Sequence, residues 1–189
     1  MPRPSVRENI VEAALVEFHR RGFNACSVED ITKAAGVPKG SFYNHFKSKE
    51  DLGAEVVDRY TTGSGWRSET PGLSPLEQLR ARFSAMRDDQ IGYEFTRGCL
   101  IGNMGAEVAD HSAVIRSQVG SSLEGWSESI ADSIREAQAA GEAPAGLDAD
   151  VTSRFILNAW EGALLRGKVV KTTQPMDDFF TVVFDNILR

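Results

Sequence analysis

Residues 27–49 read SVEDITKAAGVPKGSFYNHFKSK, and this stretch decides the fold. Its apolar positions follow a helical period in two short runs, broken at Gly36-Val37-Pro38. Gly36 supplies the reversal, Val37 plugs the core, and Pro38 starts the next helix where a missing N–H costs nothing. The run before the turn opens with Ser27-x-x-Asp30, a capping box with Asp in place of the commoner Glu or Gln. Val28, Ile31, Ala34 and Ala35 are expected to form its buried side. The run after the turn, about Pro38–Phe46, places Phe42 and Phe46 one helical turn apart, where they share a face and anchor the helix in the core. Lys39, Gly40, Ser41 and Tyr43 then face outward. Two short helices with a tight turn and a basic, aromatic second helix have the layout of a helix-turn-helix that reads the DNA major groove.

Charge distribution agrees with that reading better than total charge does. The chain of 189 residues carries a net −6, which is the wrong sign for a DNA binder. Residues 1–60, however, hold 9 Lys/Arg and 9 Asp/Glu, so the whole excess of acid lies beyond them. Residues 31–49 contain Lys33, Lys39, Lys47 and Lys49 and no acid. A local basic stripe of this kind engages phosphates while the acidic remainder stays clear of the duplex.

Helical periodicity runs through the rest of the chain. Val6, Ile10, Ala14, Leu15 and Phe18 mark a first helix from about Ser5 to Arg21, stopped by Gly22, with Phe23 folding back onto it. Ser48-x-x-Asp51 caps a fourth helix that runs to about Thr62. A Gly/Ser/Pro-rich loop follows, and the domain boundary is placed there: 1–62 for DNA binding and 63–189 for ligand binding and dimerisation. Five more helices are expected. One carries Leu76, Leu79, Phe83 and Met86; a short one covers Gly98–Asp110; a long one runs from Val119 to Ala137 and ends by Gly141. The eighth contains Phe155, Trp160 and Leu164, and the ninth opens at Pro175. No strand-like alternation appears, so the fold class is all-α, with about nine helices.

The same sequence limits the function classes. No apolar run approaches the roughly 18 residues of a membrane span. The N-terminal helix has charges inside its apolar pattern, unlike a signal peptide, so a cytoplasmic location without membrane contact is expected. Cys26 and Cys99 form no CxxC or Cys/His cluster, and no metal or cofactor is expected. His19, His45 and His111 occupy no triad-like or HExxH setting, and no phosphate-binding glycine motif appears. A thiol-dependent enzyme using Cys99, or a DNA-binding activator that needs no ligand, are the competing readings.

The order of helices and the motif residues resemble the TetR family of bacterial transcriptional repressors. The resemblance covers roughly residues 8–58. It rests on the stretch from Ala14 to Phe23, on Ser27-Val28-Glu29-Asp30-Ile31, on Ala34-Ala35-Gly36-Val37, on Gly40 to Phe46, and on Lys47-Ser48-Lys49-Glu50-Asp51-Leu52. Thr32 stands where a small residue is commoner, and Ser41 replaces the usual Thr. The resemblance implies a homodimer joined through the last two helices as a four-helix bundle, binding a palindromic double-stranded operator.

Specific roles follow for the DNA-binding segment. Gly40 allows close backbone approach to DNA. Lys39 can donate to a guanine O6 or N7, or to a phosphate. The resemblance makes Tyr43 and Lys49 phosphate contacts, and Ser27 a further one through the helix N-terminus. His45 serves as a phosphate ligand or as a packing residue.

A repressor also needs an input, expected to be a small-molecule inducer. Candidate pocket residues are Trp66, Phe83, Met86, Tyr93, Phe95, Met104, Trp126 and Trp160, although core packing is the better reading of each. Cys99, if it lies in the first turn of its helix beside Arg97, would be a reactive thiolate and an electrophile or oxidant sensor. Lys168, a charge in an apolar stretch of the eighth helix, would be its partner. A small buried hydrophobe is the other reading of Cys99. Gly98, Gly102 and Gly105 are expected on one close-packed helical face.

Overall fold

The computed structural model describes residues 5–63 and 70–189, and within them the chain is entirely helical. There are nine helices among the described residues. Eight are α-helices: α1 (Val6–Arg21), α2 (Val28–Ala34), α3 (Lys49–Gly63), α4 (Pro75–Gly92), α5 (Leu100–Val108), α6 (Ala113–Ala139), α7 (Ala149–Val170) and α8 (Gln174–Val182). The ninth is a 3-10 helix, Lys39–Asn44, and α8 continues into a π-helical turn at Val183–Ile187. The chain divides into two compact units. The first is Met1–Ser64 with Leu100–Ser122; the second is Gly65–Cys99 with Leu123–Arg189.

In the first unit, α1, α2 and α3 close around Ile10, Val11, Ala14, Phe18, Ile31, Phe42, Leu52, Val56 and Val57, all without solvent exposure. Phe23 does fold back, its ring centroid 5.0 Å from that of Phe18. The chain can make that bend because Gly22 adopts φ 88° and ψ 160°, a region that only glycine enters readily. Gly53 on α3 is equally constrained, for another reason. A Cβ there would lie 2.8 Å from Phe23 and 2.9 Å from Ile115, so Phe23 and the start of α6 converge on the space that glycine leaves.

Two expectations for this unit are corrected. The buried side of α2 is Ile31 and Thr32, while Ala34 is exposed and Val28 and Ala35 are half-buried. A polar residue takes the core position because its hydroxyl donates to the carbonyls of Val28 and Glu29 and so enters satisfied. The helix expected over Pro38–Phe46 is shorter and tighter, a 3-10 helix. Pro38 offers no side-chain cap, six residues are too few for an α-helix to pay back its nucleation, and i+3 bonds such as Ser41 N–H to Pro38 O (2.9 Å) close it.

In the second unit, the core is an aromatic cluster. The ring centroids of Phe83 (α4), Trp160 (α7) and Phe179 (α8) lie within 5.1 Å of one another, with Phe180 and Phe184 at the margin. The helix starts follow local chemistry: Ser74 and Glu77 make a complete capping box for α4, and Asp148 caps α7 through the N–H groups of Asp150 and Val151. Along α7 a second stripe, Val151, Phe155, Leu165 and Val169, faces solvent; Leu165 is 65% and Val169 74% exposed.

Candidate nucleic-acid interface and sensor residues

In the first unit the recognition segment divides into a buried side and an exposed side. Phe42 and Phe46 are buried against each other, their centroids 5.6 Å apart, and hold the 3-10 helix to the core. The outward face carries Lys39, Gly40, Tyr43 and His45, all exposed, with Ser41 half-buried. Tyr43 is 62% exposed and stands edge-on to Phe42 (5.1 Å), which orients its ring while its hydroxyl stays free to reach a phosphate. A Cβ on Gly40 would meet nothing, so the glycine there is free of packing demands within the chain. Lys39 is paired with Glu29 of α2 at 3.1 Å, an exposed ion pair that a phosphate or base can displace.

Ser27 and Lys49 are committed to the fold. Ser27 accepts from the Asp30 N–H and donates to the Asp30 carboxylate at 2.6 Å, and Asp30 accepts in return from the Ser27 N–H. These bonds hold the Asp30 carboxyl below the usual carboxylate range, with Arg21 nearby adding to the effect. Lys49 points its ammonium at the backbone: it donates to Phe23 O and Cys26 O, each at 3.0 Å, and sits 4.1 Å from the centroid of the Phe23 ring. Cys26 is a buried thiol bonded to Glu17 O, and burial pushes its pKa up.

The candidate ligand residues are divided between the two units. Trp66 lies outside the described residues. Phe83 and Trp160 are core, and Trp126 is buried on α6. Met104 belongs to the first unit, where its methyl faces Gly53, because α5 packs with α1 and α3 there. Met86 and Phe95 are half-buried, and Tyr93 is exposed with the Arg97 guanidinium over its ring at 3.7 Å. Trp160 is 1% exposed, and its indole N–H meets no acceptor among the described residues.

Cys99 is buried (7% exposed) and sits just before α5, which starts at Leu100, so it is not in the helix's first turn. The Arg97 guanidinium lies over the Tyr93 ring, and Glu161 of α7 hydrogen-bonds Cys99. Burial pushes the Glu161 carboxyl up, and the bond to Cys99 partly restrains it. Lys168 donates to Arg97 O at 3.3 Å and Lys171 to Phe95 O at 2.9 Å, while the buried Gln90 side chain holds both the N–H and the C=O of Gly98. Residues 94, 95 and 98 all have positive φ, so the loop before Cys99 is strained and tied at three points. Gly98 therefore lies in that loop and not on a helical face with Gly102 and Gly105; a Cβ on Gly105 would lie 3.6 Å from Val119. Glu161 was not anticipated, although an acid inside the run AWEGALLRGKVV, seven residues before Lys168 and so near its face, was a readable signal. Among the described residues, no three metal-ligating side chains gather, and no helix is long and apolar enough to cross a membrane.

A family model described as "Bacterial regulatory proteins, tetR family" matches residues 10–56, and one described as "Tetracyclin repressor-like, C-terminal domain" matches residues 75–183. The chain belongs to the TetR family. Its similarity to the HTH-type transcriptional repressor DhaR of Mycobacterium sp. (strain GP1) is 37% identity, covering 100% of this chain and 95% of that protein. The transcriptional regulator AcuR of Cereibacter sphaeroides is 34% identical over 91% of this chain and 80% of its own. The crystal structure of regulatory protein TetR from Rhodobacter sphaeroides superposes with a TM-score of 0.89 at 32% identity, covering 97% of this chain and 99% of that one. As a TetR-family member, the chain is a DNA-binding transcriptional repressor and not an enzyme.

Proposed function

We propose that the chain acts in the cytoplasm as a homodimer on a palindromic operator, and that a small molecule, or an electrophile or oxidant acting at Cys99, releases it. Residues 1–62 would bind DNA, and 63–189 would bind the signal and the second subunit. The observation that carries the DNA-binding part is the split of the recognition segment: Phe42 and Phe46 inward, Lys39, Gly40, Tyr43 and His45 outward. So few side chains reach bases that two copies are needed to specify a site. The exposed apolar stripe Val151, Phe155, Leu165 and Val169 on α7 supports pairing through the last helices.

The thiol bonded to Glu161, at the end of a strained and tethered loop, supports Cys99 as the sensing group, with Lys168 holding the loop from α7. For a small-molecule inducer, the unpaired Trp160 indole N–H supports an acceptor-bearing ligand in the second unit. The test is binding to the DNA upstream of the chain's own gene, followed by fluorescence anisotropy with and without N-ethylmaleimide, for wild type and Cys99→Ser. Release of wild type alone, with the adduct mapped to Cys99 by peptide mass, is the expected result. Equal release of both proteins would remove the thiol from the proposal, and failure to bind any such DNA would remove the operator reading.

A further inference from the structure

Residues 22–26, the loop that delivers the chain into α2, make almost no polar contacts with one another. Its groups are held instead by side chains from three helices. Arg21 of α1 donates to Ala25 O (3.2 Å), and Lys49 of α3 donates to Phe23 O and Cys26 O. The third holder is Glu107, near the end of α5 and 83 residues away in sequence. Its carboxylate accepts from the Asn24 N–H at 3.0 Å, and the Asn24 amide donates back to Glu107 O at 3.4 Å. The two residues lock each other reciprocally. The fit leaves no spare room: a Cβ on Gly22 would overlap the Glu107 carboxylate.

From this geometry we propose that Glu107 is a positioning residue for operator binding, fixing the loop at Asn24 and through it the start of α2 and the recognition segment. A second, apolar contact acts in the same sense. Phe23 of the loop, Met104 of α5 and Ile115 of α6 all converge above Gly53. Asn24 stands three residues before Ser27, the N-cap of α2, and Val37 N–H to Thr32 O (3.0 Å) ties the end of α2 to the recognition segment. Leu100, the first residue of α5, follows Cys99 directly in the chain, so Glu107 lies one short helix downstream of the candidate sensor. The proposal does not depend on what the signal is.

The test uses the full-length repressor and its operator DNA, read by anisotropy titration alongside thermal unfolding and amide hydrogen exchange. Glu107→Ala should weaken operator binding roughly five- to tenfold, well short of the full cost of a charged hydrogen bond in each subunit, because the contact is exposed and Arg21 and Lys49 still hold the loop. It should also speed exchange at the amide of residue 24. Glu107→Gln keeps an acceptor oxygen and should restore binding to within about twofold of wild type. Asn24→Ala, which removes the other half of the lock, should weaken binding in the same direction and keeps the test open if Glu107→Ala proves unstable. Wild-type affinity in Glu107→Ala, or equal loss in Glu107→Ala and Glu107→Gln, would overturn the proposal.

Discussion

Lys49 is where the resemblance and the geometry assign different roles, and one substitution separates them. In Lys49→Met the alkyl stem survives and only the ammonium is lost. As a backbone clamp, that ammonium makes two charged hydrogen bonds at 3.0 Å and lies over the Phe23 ring. Each bond to a charged donor is worth about 1.5–3 kcal/mol when water is excluded. Lys49 is half-buried, so water replaces part of the loss, and about 1 kcal/mol per bond is the better figure for this site. The cation–π contact adds about 0.5–1 kcal/mol. A loss of about 2–3 kcal/mol follows, which for a chain of this size lowers Tm by roughly 5–10 °C.

A phosphate contact would leave a different signature. Removing one phosphate neutralisation from each subunit lowers the slope of log K against log salt by about 0.9 per site, so by about 2 for a dimer. The experiment is therefore a thermal melt together with operator titrations at four salt concentrations. The clamp reading expects the large fall in Tm, weaker operator binding because the loop before α2 loosens, and an unchanged salt slope. A Tm within about 1 °C of wild type, together with a slope reduced by about 2, would refute it and restore the phosphate contact.

Other outcomes follow from the same structure. Tyr43→Ala should weaken binding roughly tenfold across all operator variants, because a phosphate contact carries no sequence information, whereas Lys39→Ala should also flatten the preference among variants in a base-substitution series. Indistinguishable profiles would contradict the division of roles. The Glu161 carboxyl binds its proton more tightly folded than unfolded, so stability falls as pH rises from the ordinary carboxylate range through the raised folded value, and the full penalty is present above it. Glu161→Gln should abolish that component, and denaturation midpoints measured between pH 4 and about pH 8 should converge with wild type at the acid end and exceed it at the alkaline end. A parallel pH profile in the two proteins would remove Glu161 as its source.

Much of the first unit was legible because its signals are local. Ser27 and Asp30 lie three residues apart, and a capping box needs nothing else. Gly36 needs its positive φ (68°) whatever surrounds it. Phe42 and Phe46 are an apolar pair four residues apart, and both are buried although Phe46 lies just past the end of the 3-10 helix, which leaves Tyr43 outward. What local patterns do not show is a partner distant in sequence. Lys49 reads as one more charge in a basic stripe, and only the folded chain shows the loop carbonyls 23 and 26 residues before it holding its ammonium. Asn24 and Glu107 had no local signal at all, since nothing within a few residues of either asks for the other.

The second unit shows where that limit falls in a helical bundle. Aromatic residues at helical spacing say that a helix is buried on one side and do not distinguish a core from a ligand pocket; Phe83 and Trp160 read alike and turned out to pack on each other. Polar groups on apolar helices carry more information, because each costs free energy to bury and so persists only where something compensates it. Lys168 and Glu161 are two such residues on α7, one holding the loop before Cys99 and the other bonded to its thiol. The Trp160 N–H is a third cost, so far uncompensated by any acceptor among the described residues. Physical expense of this kind supports the proposal that the signal acts at Cys99, Glu161 and Lys168, with the aromatic cluster of Phe83, Trp160 and Phe179 as the scaffold beside it.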